Sequence, residues 1–318
     1  NTYKWTLSLS VPLRWTGYTG GGFSRISVNP SLSIIYKLNY AWRFTAHASY
    51  KERYGEMTDL YDRPYQTDYR NSVWNCGILP VYRQQLYSVY GEYKNTAREF
   101  FATVNLTHNR EWYNRIYEQR IENGQVQRVS LPLSNHGSGY TVKSTLSKGF
   151  YELGLKTSFL VLLNISKAEQ ISGGQRLPYQ YRLMRLEPKV IWTPNRHWET
   201  SYQTDIRYGG NKIGERTRLA PLWNVTQQVQ LSYIFSPIEA SLSVDHYHND
   251  VNEDQSVNAV FADFSVSWKS GRWQITTTAT NLFDKRTYAY TQYASLESYT
   301  SWVRIRPREF LVAIRYQL

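Results

Sequence analysis

The residue types that bind metals or run acid–base chemistry are sparse in this chain, with six His and a single Cys in 318 residues. The one suggestive spacing is His246-x-His248, which puts two imidazoles on one face of an extended segment. Asp245, Asn249, Asp250 and Asp254 stand nearby, a set that a divalent cation could use. Two donors at i and i+2 lack the further ligands and the supporting hydrogen bonds of a defined metal site. No metal is therefore expected, and the pair reads as a polar strand end. His47, His108, His136 and His197 are isolated in sequence. Neither G-x-S-x-G nor H-E-x-x-H occurs. Gly20-Gly21-Gly22 and Gly173-Gly174 lack the strand–helix setting of a phosphate loop and read as flexible tips. The lone Cys76 excludes an internal disulfide framework. No catalytic residue and no cofactor is expected, and the chain does not read as an enzyme.

Binding chemistry is better represented. Segment 54–78 holds Tyr61, Tyr65, Tyr69 and Trp74, and segment 282–304 holds Tyr288, Tyr290, Tyr293, Tyr299 and Trp302. Aromatic rings with polar tips stack on sugar or chelate rings, so these nine residues are the expected ligand contacts. Lys and Arg number 37 against 25 Asp and Glu, a net charge of +12. Such an excess attracts anionic solutes, lipids or nucleic acid. No Lys/Arg-rich block stands out, which argues against nucleic acid.

The elements that would carry these residues are strands. Aromatics make up 16% of the chain, charged residues 19%, and mean hydropathy is −0.56. That composition suits pleated surfaces. No run of about 20 apolar residues is present to make a membrane helix. The sequence instead alternates. Trp5, Leu7, Leu9, Val11, Leu13 and Trp15 share one face, and Val260, Ala262, Phe264, Val266 and Trp268 share another. Residues 151–165 and 223–235 do the same. These runs reach 10–15 residues, the length a tilted strand needs to cross a bilayer. Their apolar faces are aliphatic in the middle and aromatic at the ends, the girdle pattern of membrane β-barrels.

Fourteen strands are expected, at 3–15, 25–38, 41–53, 79–94, 98–115, 138–148, 150–166, 178–193, 197–208, 221–235, 238–249, 258–269, 272–281 and 305–318. Short connections (39–40, 95–97, 149, 194–196, 236–237, 270–271) alternate with long ones (16–24, 54–78, 116–137, 167–177, 209–220, 250–257, 282–304). The expected fold is all-β, a transmembrane up-and-down antiparallel barrel in one domain over 1–318, seated in an outer membrane with short turns on the periplasmic side. Alternation then turns Lys4, Arg14, Lys37, Lys143, Lys156, Asp205, Arg207, Asp245, Asp263 and Arg315 toward the lumen. The chain opens with Asn1 rather than Met, so a removed signal or a longer parent protein is expected.

Asn281-Leu282-Phe283-Asp284-Lys285-Arg286, followed by Tyr288, resembles the NLFD-K-x-Y signature of TonB-dependent outer-membrane receptors. The ending from Arg304 to Leu318 resembles the last strand of the Bacteroidota branch, and Leu146-Ser147-Lys148-Gly149-Phe150 resembles one of its periplasmic turns. Only the first motif is specific. The resemblance implies a 22-stranded barrel of which this chain is the C-terminal part, with the plug domain and TonB-box upstream. It implies uptake of a solute too large for porins, whether glycan, peptide or siderophore, driven by TonB–ExbB–ExbD. A surface lipoprotein lid, and outer-membrane lipid and lipopolysaccharide around the wall, are the remaining implied partners. Two other readings stay open at this point: an autonomous fourteen-stranded passive channel, and a surface anchor or adhesin.

Overall fold

The computed structural model describes residues 4–18, 22–75, 77–122, 125–214, 217–218, 221–252, 254–294 and 297–317, excluding the side chains at 122, 217–218, 292–294 and 297–299. Tyr3, Cys76 and Leu318 lie outside the described residues, as do Gly20 and Gly21. The strands are β1 (Trp5–Ser10), β2 (Leu13–Tyr18), β3 (Phe23–Val28), β4 (Ser31–Lys37), β5 (Trp42–Tyr54), β6 (Tyr65–Gln66), β7 (Asn71–Trp74) and β8 (Val81–Asn95). Next come β9 (Phe100–Tyr113), β10 (Ile116–Glu122), β11 (Gln125–Leu131), β12 (Asn135–Phe150), β13 (Leu155–Ser172), β14 (Gln175–Asn195) and β15 (Trp198–Ile213). The chain finishes with β16 (Thr217–Arg218), β17 (Leu222–Phe235), β18 (Ile238–Asp250), β19 (Ser256–Ser270), β20 (Trp273–Thr280), β21 (Thr287–Ala294), β22 (Glu297–Arg304) and β23 (Glu309–Tyr316).

Fourteen of these strands form one antiparallel meander. Each pairs with the next in the order β1, β4, β5, β8, β9, β12, β13, β14, β15, β17, β18, β19, β20, β23. Each of the fourteen sequence segments therefore contributes one strand to the wall. No register pair joins β1 to β23 among the described residues, so the meander has two free edges. The side chains of β23 are exposed throughout, and Trp5, Leu7 and Leu9 of β1 are likewise open.

One face of the wall is a lipid-facing band. Register places Leu106, Val142, Leu163 and Met184 side by side, and then Val104, Ser144, Val161, Leu186 and Ile206. Aromatic contacts bound it at both ends. At the short-turn end Trp42 meets Tyr93 at 4.8 Å, Trp198 meets Tyr233 at 4.7 Å and Trp273 meets Tyr316 at 4.8 Å. At the loop end Tyr208 meets Trp223 at 4.7 Å and His108 stacks on Tyr140 at 4.2 Å. Two aromatic girdles around an aliphatic band are what a wall spanning hydrocarbon requires.

Three of the short turns share one chemistry. Asn39 Oδ1 accepts from the Ala41 and Trp42 amides, Asn95 Oδ1 from the Arg98 amide, and Asn195 Oδ1 from the His197 and Trp198 amides. A side-chain carbonyl that caps the following amides turns the chain without help from another strand.

Several expected boundaries are corrected. Segments 3–15 and 25–38 are each split, by Val11-Pro12 and Asn29-Pro30, so that β2 and β3 pair as a separate hairpin beyond the wall. Proline has no amide to give to the ladder. Gly149 is not a turn but lies inside β12; the turn is Tyr151–Leu153 closed by Gly154 at φ 60°. The motif at 146–150 is accordingly strand, and Tyr151 and Leu153 leave the apolar face. The long loop expected at 167–177 is a continuation of β13 and β14 to a tight turn at Gly173-Gly174, with φ of 57° and 74°. Those two glycines are required by a type I′ hairpin, which needs positive φ at both central positions; they are not loose tips. Segment 116–137 is likewise a hairpin, β10–β11.

Candidate ligand surface

The Asn281 segment is a structural clamp. Its backbone sits at φ 51° and its side chain is 6% exposed. The amide nitrogen donates to the carbonyls of Lys285 and Arg306, each at 2.8 Å, and Oδ1 accepts the Lys285 N–H at 2.9 Å. Asp263 Oδ1 accepts the Asn281 N–H at 2.7 Å. Asp284 completes the knot by accepting from the Arg308 N–H and the Arg286 guanidinium. Those bonds, led by the one from Arg286, hold the exposed Asp284 carboxyl below its usual range. The outgoing and returning chains are thus tied together where β20 hands over to the hairpin β21–β22.

That hairpin lies over the inner face of the wall. Asn249 donates to the Ala289 carbonyl at 3.0 Å and Thr291 to the Val251 carbonyl at 3.1 Å, with Ala289 and Thr291 fully buried. Tyr288 meets Tyr247 edge-on at 5.2 Å. Beneath it lies a cavity of about 490 Å³ lined by Tyr181, Arg185, Asp205, Arg207, Asn224, Tyr288 and Tyr290, among others. Asp205 accepts two bonds from Arg185, each at 3.0 Å, and three from Arg207, at 2.6, 3.1 and 3.2 Å, while Glu187 takes Arg185 at 2.5 Å. The buried Asn224 Oδ1 has no donor among the described residues. The floor offers guanidinium donors, and the roof offers phenol rings.

A second concavity, of about 870 Å³, lies at the loop end of β9, β12 and β13. Its lid is a layer made by loop strands: β7 pairs in parallel with β11, and β10 in parallel with β13. Ile116, Val129, Ile171 and Ser130 are buried there, so the loops have a small core of their own. Arg128 covers the Tyr117 ring at 3.6 Å, and Glu111 accepts from Tyr82 at 3.0 Å and Tyr113 at 2.7 Å.

Of the expected ligand contacts, Tyr288 and Tyr290 line the first cavity. Trp302 is exposed on β22, and the side chains of Tyr293 and Tyr299 lie outside the described residues. Tyr61 and Tyr65 meet at 6.1 Å, Tyr69 is exposed at a turn under Arg70, and Trp74 donates to Asp62 at 3.3 Å. None of these four lines either cavity described above, whose floors are strand residues. Asp68 does line the second, and hydrogen bonds led by the one from Asn71 hold its carboxyl below the usual range. Sequence reading missed Arg185, Tyr181, Tyr113, Tyr117 and Arg128. The signal for Arg185 is its register with Arg207 on the inward face.

Lys4, Lys37, Lys143, Lys156, Asp205, Arg207, Asp245, Asp263 and Arg315 alternate with the apolar band, and Arg14 alternates with Leu13 and Trp15 on β2. His246 and His248 instead share the outward face with Val244 and Leu242. His248 Nδ1 bonds Asn258 Oδ1 at 2.8 Å and Nε2 lies 3.4 Å from Asp250. No group of three metal-binding side chains occurs among the described residues.

No protein-family model and no curated protein sequence matches the chain. Solved structures do. The ferric preacinetobactin receptor BauA of Acinetobacter baumannii aligns with a TM-score of 0.53 at 9% identity, over 98% of this chain and 55% of that one. The ferric yersiniabactin uptake receptor FyuA of Yersinia pestis aligns at 0.47 and 8% identity, over 92% of this chain and 50% of that one. The chain has an outer-membrane β-barrel fold. It spans about half the length of the receptors it matches. With its girdled apolar band, this fold places the chain in an outer membrane.

Proposed function

We propose that this chain is the C-terminal part of the barrel of a TonB-dependent receptor of the Bacteroidota type, taking up a solute too large for porins. The observation that carries the reading is the fourteen-stranded wall with two free edges. Half of the eight residues of β23 turn their backbone donors and acceptors away from β20. Each unpaired group in hydrocarbon costs several kcal/mol, so this edge alone costs tens of kcal/mol, more than a whole domain's usual stability of about 5–15 kcal/mol. Further strands must close the sheet, and the resemblance at Asn281–Arg286 points to a plugged 22-stranded barrel as their source.

In that setting the short turns are periplasmic and the two cavities face outward under the external hairpins. Guanidinium donors and the Tyr288 and Tyr290 rings suit a polar solute with planar or ring groups, as glycans, peptides and siderophores have. Lys143 and Lys156 would face a plug, and the plug would couple to TonB–ExbB–ExbD. A lipoprotein lid fits the hairpin face. The role is binding and passage rather than catalysis.

The test is the intact mass of the native outer-membrane protein, detected through the 282–304 hairpin. A species of at least about twice the chain's 37.4 kDa is expected. A species near 37.4 kDa that conducts in bilayers would overturn the reading. On the full-length protein, Tyr288→Ala and Tyr290→Ala should each weaken solute binding about tenfold, the effect of losing roughly 1.4 kcal/mol.

A further inference from the structure

Opposite charges share the cavity at the loop end of β9, β12 and β13 without meeting. Its lining, about 870 Å³ in volume, includes the carboxylates of Asp68, Glu111, Glu118 and Glu169 and the cations of Arg115, Arg128 and Lys167. Three of these are cancelled by partners that do not line it. Asp59 holds Arg115 at 2.9 Å, Arg120 holds Glu118 at 2.6 Å and Arg176 holds Glu169 at 2.6 Å. Lys167 alternates outward with Leu163 and Ile165, so it stands at the rim. Asp68 and Glu111 remain against Arg128, and none of the three makes an ion pair among the described residues.

Each of the three is fixed where it stands. Glu111 Oε1 accepts from Tyr82 at 3.0 Å, Gln84 at 3.2 Å and Asn109 at 3.1 Å, and Oε2 accepts from Tyr113 at 2.7 Å. All four donors are neutral, so the carboxylate keeps its charge, and Oε2 has room for a second donor. Asp68 accepts only from the Arg70 and Asn71 amides and the Asn71 side chain. Arg128 lies over the Tyr117 ring at 3.6 Å, with Arg115 at 5.0 Å from the same ring. Ile116 and Val129, the chain neighbours of that stack, are buried, so the core of the loop layer anchors it. Glu111 thus belongs to the wall and Arg128 to the roof. A guanidinium and a carboxylate gain by pairing, and here hydrogen bonds and a ring stack hold them apart.

We propose that this cavity binds a zwitterionic solute, its ammonium against Glu111 and its carboxylate against Arg128, the chemistry of a short peptide with free termini. The proposal narrows the solute class of the importer reading and rests on that reading for the route, while the binding chemistry stands on the cavity itself. An ammonium brings three donors, one of which fills the open position on Glu111 Oε2. A guanidinium takes a carboxylate through two parallel bonds. A cavity of this volume is about 10 Å across, the span of about three extended residues. Gln119, Asn135 and Ser166 also line it and offer hydrogen-bonding groups to peptide units. A neutral glycan would leave both charges unmet, and an anionic solute would meet Glu111 and Asp68 with like charge.

The test is titration calorimetry on the full-length native protein in detergent, with trialanine, N-acetyl-trialanine and trialanine amide as probes. Trialanine should bind, and blocking either end should weaken binding about tenfold, the effect of losing one charge-assisted contact. In E111Q, trialanine and its N-acetyl form should bind alike while the amide stays weaker. In R128Q, trialanine and its amide should bind alike while the N-acetyl form stays weaker. A purely structural role for either side chain would not separate the two ends of the peptide. E152Q, in the short turn Tyr151–Leu153, should change none of the three affinities. No binding of trialanine, or equal binding of free and blocked peptides, would overturn the site; that comparison uses unmutated protein and decides even if a variant does not fold. A protein of about twice 37.4 kDa that ignores both end groups would sink the site and leave the importer reading standing. A 37.4 kDa channel that discriminates them would uphold the site and sink the importer reading.

Discussion

Replacing Asn281 by alanine tests whether the most recognisable motif of the chain is a clamp. The substitution removes three hydrogen bonds of 2.8, 2.8 and 2.9 Å from a side chain that is 6% exposed. At about 1 kcal/mol net for each bond, that is about 3 kcal/mol. The backbone is at φ 51°, where alanine pays a further penalty of about 1 kcal/mol that asparagine partly escapes. The expected loss is about 4 kcal/mol. Asn281→Gly loses the same bonds without the Cβ strain and should cost less than alanine. The assay is urea unfolding of the full-length protein in lipid vesicles, read by Trp fluorescence, with protease cleavage within 287–304 as a local probe. Cleavage should accelerate in both variants. A loss below about 1 kcal/mol for alanine, or cleavage at the unmutated rate, would refute the clamp.

Gly154→Ala places a Cβ 2.0 Å from the Thr193 carbonyl at φ 60°, whereas Gly173→Ala meets open space at φ 57°; the first should cost more than about 2 kcal/mol and the second about 1 kcal/mol in the same unfolding assay. Asp205→Asn strips two guanidiniums of their shared carboxylate; with Arg185 and Arg207 still 37% and 49% exposed, the cost should be about 2 kcal/mol rather than the 3–5 kcal/mol of a buried pair, and should shrink in high salt. Asp284 has a folded-state pKa depressed below its ordinary 3.8. Its contribution is present above that value and is lost only as pH falls through the folded pKa, so protease protection of the hairpin should hold from pH 7 to 5 and fall below about pH 3.8, and Asp284→Asn should flatten that fall.

Much of the wall was legible because alternation has a period of two and the bilayer forces one face to be apolar. Val260 to Trp268 and Trp223 to Phe235 could belong to no other element. Boundaries failed where the alternation lapses but the ladder does not: Lys167, Ala168 and Glu169 break the pattern, yet β13 stays paired with β14 to Ser172 in water. They also failed where proline broke the ladder without breaking the pattern, as at Pro12 and Pro30. The loop layer was not legible, because parallel pairing of β7 with β11 is a contact between distant segments that leaves no local period. His246-x-His248 reads alike on either face; only the register with Val260 and Val225 shows that it turns outward.

The clamp and the candidate ligand surface are one device. Asn281 contacts no cavity, yet by joining Lys285 to Arg306 it fixes both ends of the hairpin, and the Ile305 amide bonded to the Arg286 carbonyl at 3.0 Å continues that closure. A hairpin held only at its tip would swing about the wall; one held at its base and again at Ala289 and Thr291 has a fixed height above Arg185, Asp205 and Arg207. Tyr288 and Tyr290 then face the guanidinium floor at a set depth, and the conformational entropy of ordering them is met during folding rather than at binding. A motif with no chemistry of its own can thus set affinity at a site it does not touch. Asn281→Gly should therefore weaken solute binding while leaving every lining side chain in place, and the loss should be larger in kon-independent dissociation than in association, because steering by the charged floor is unchanged.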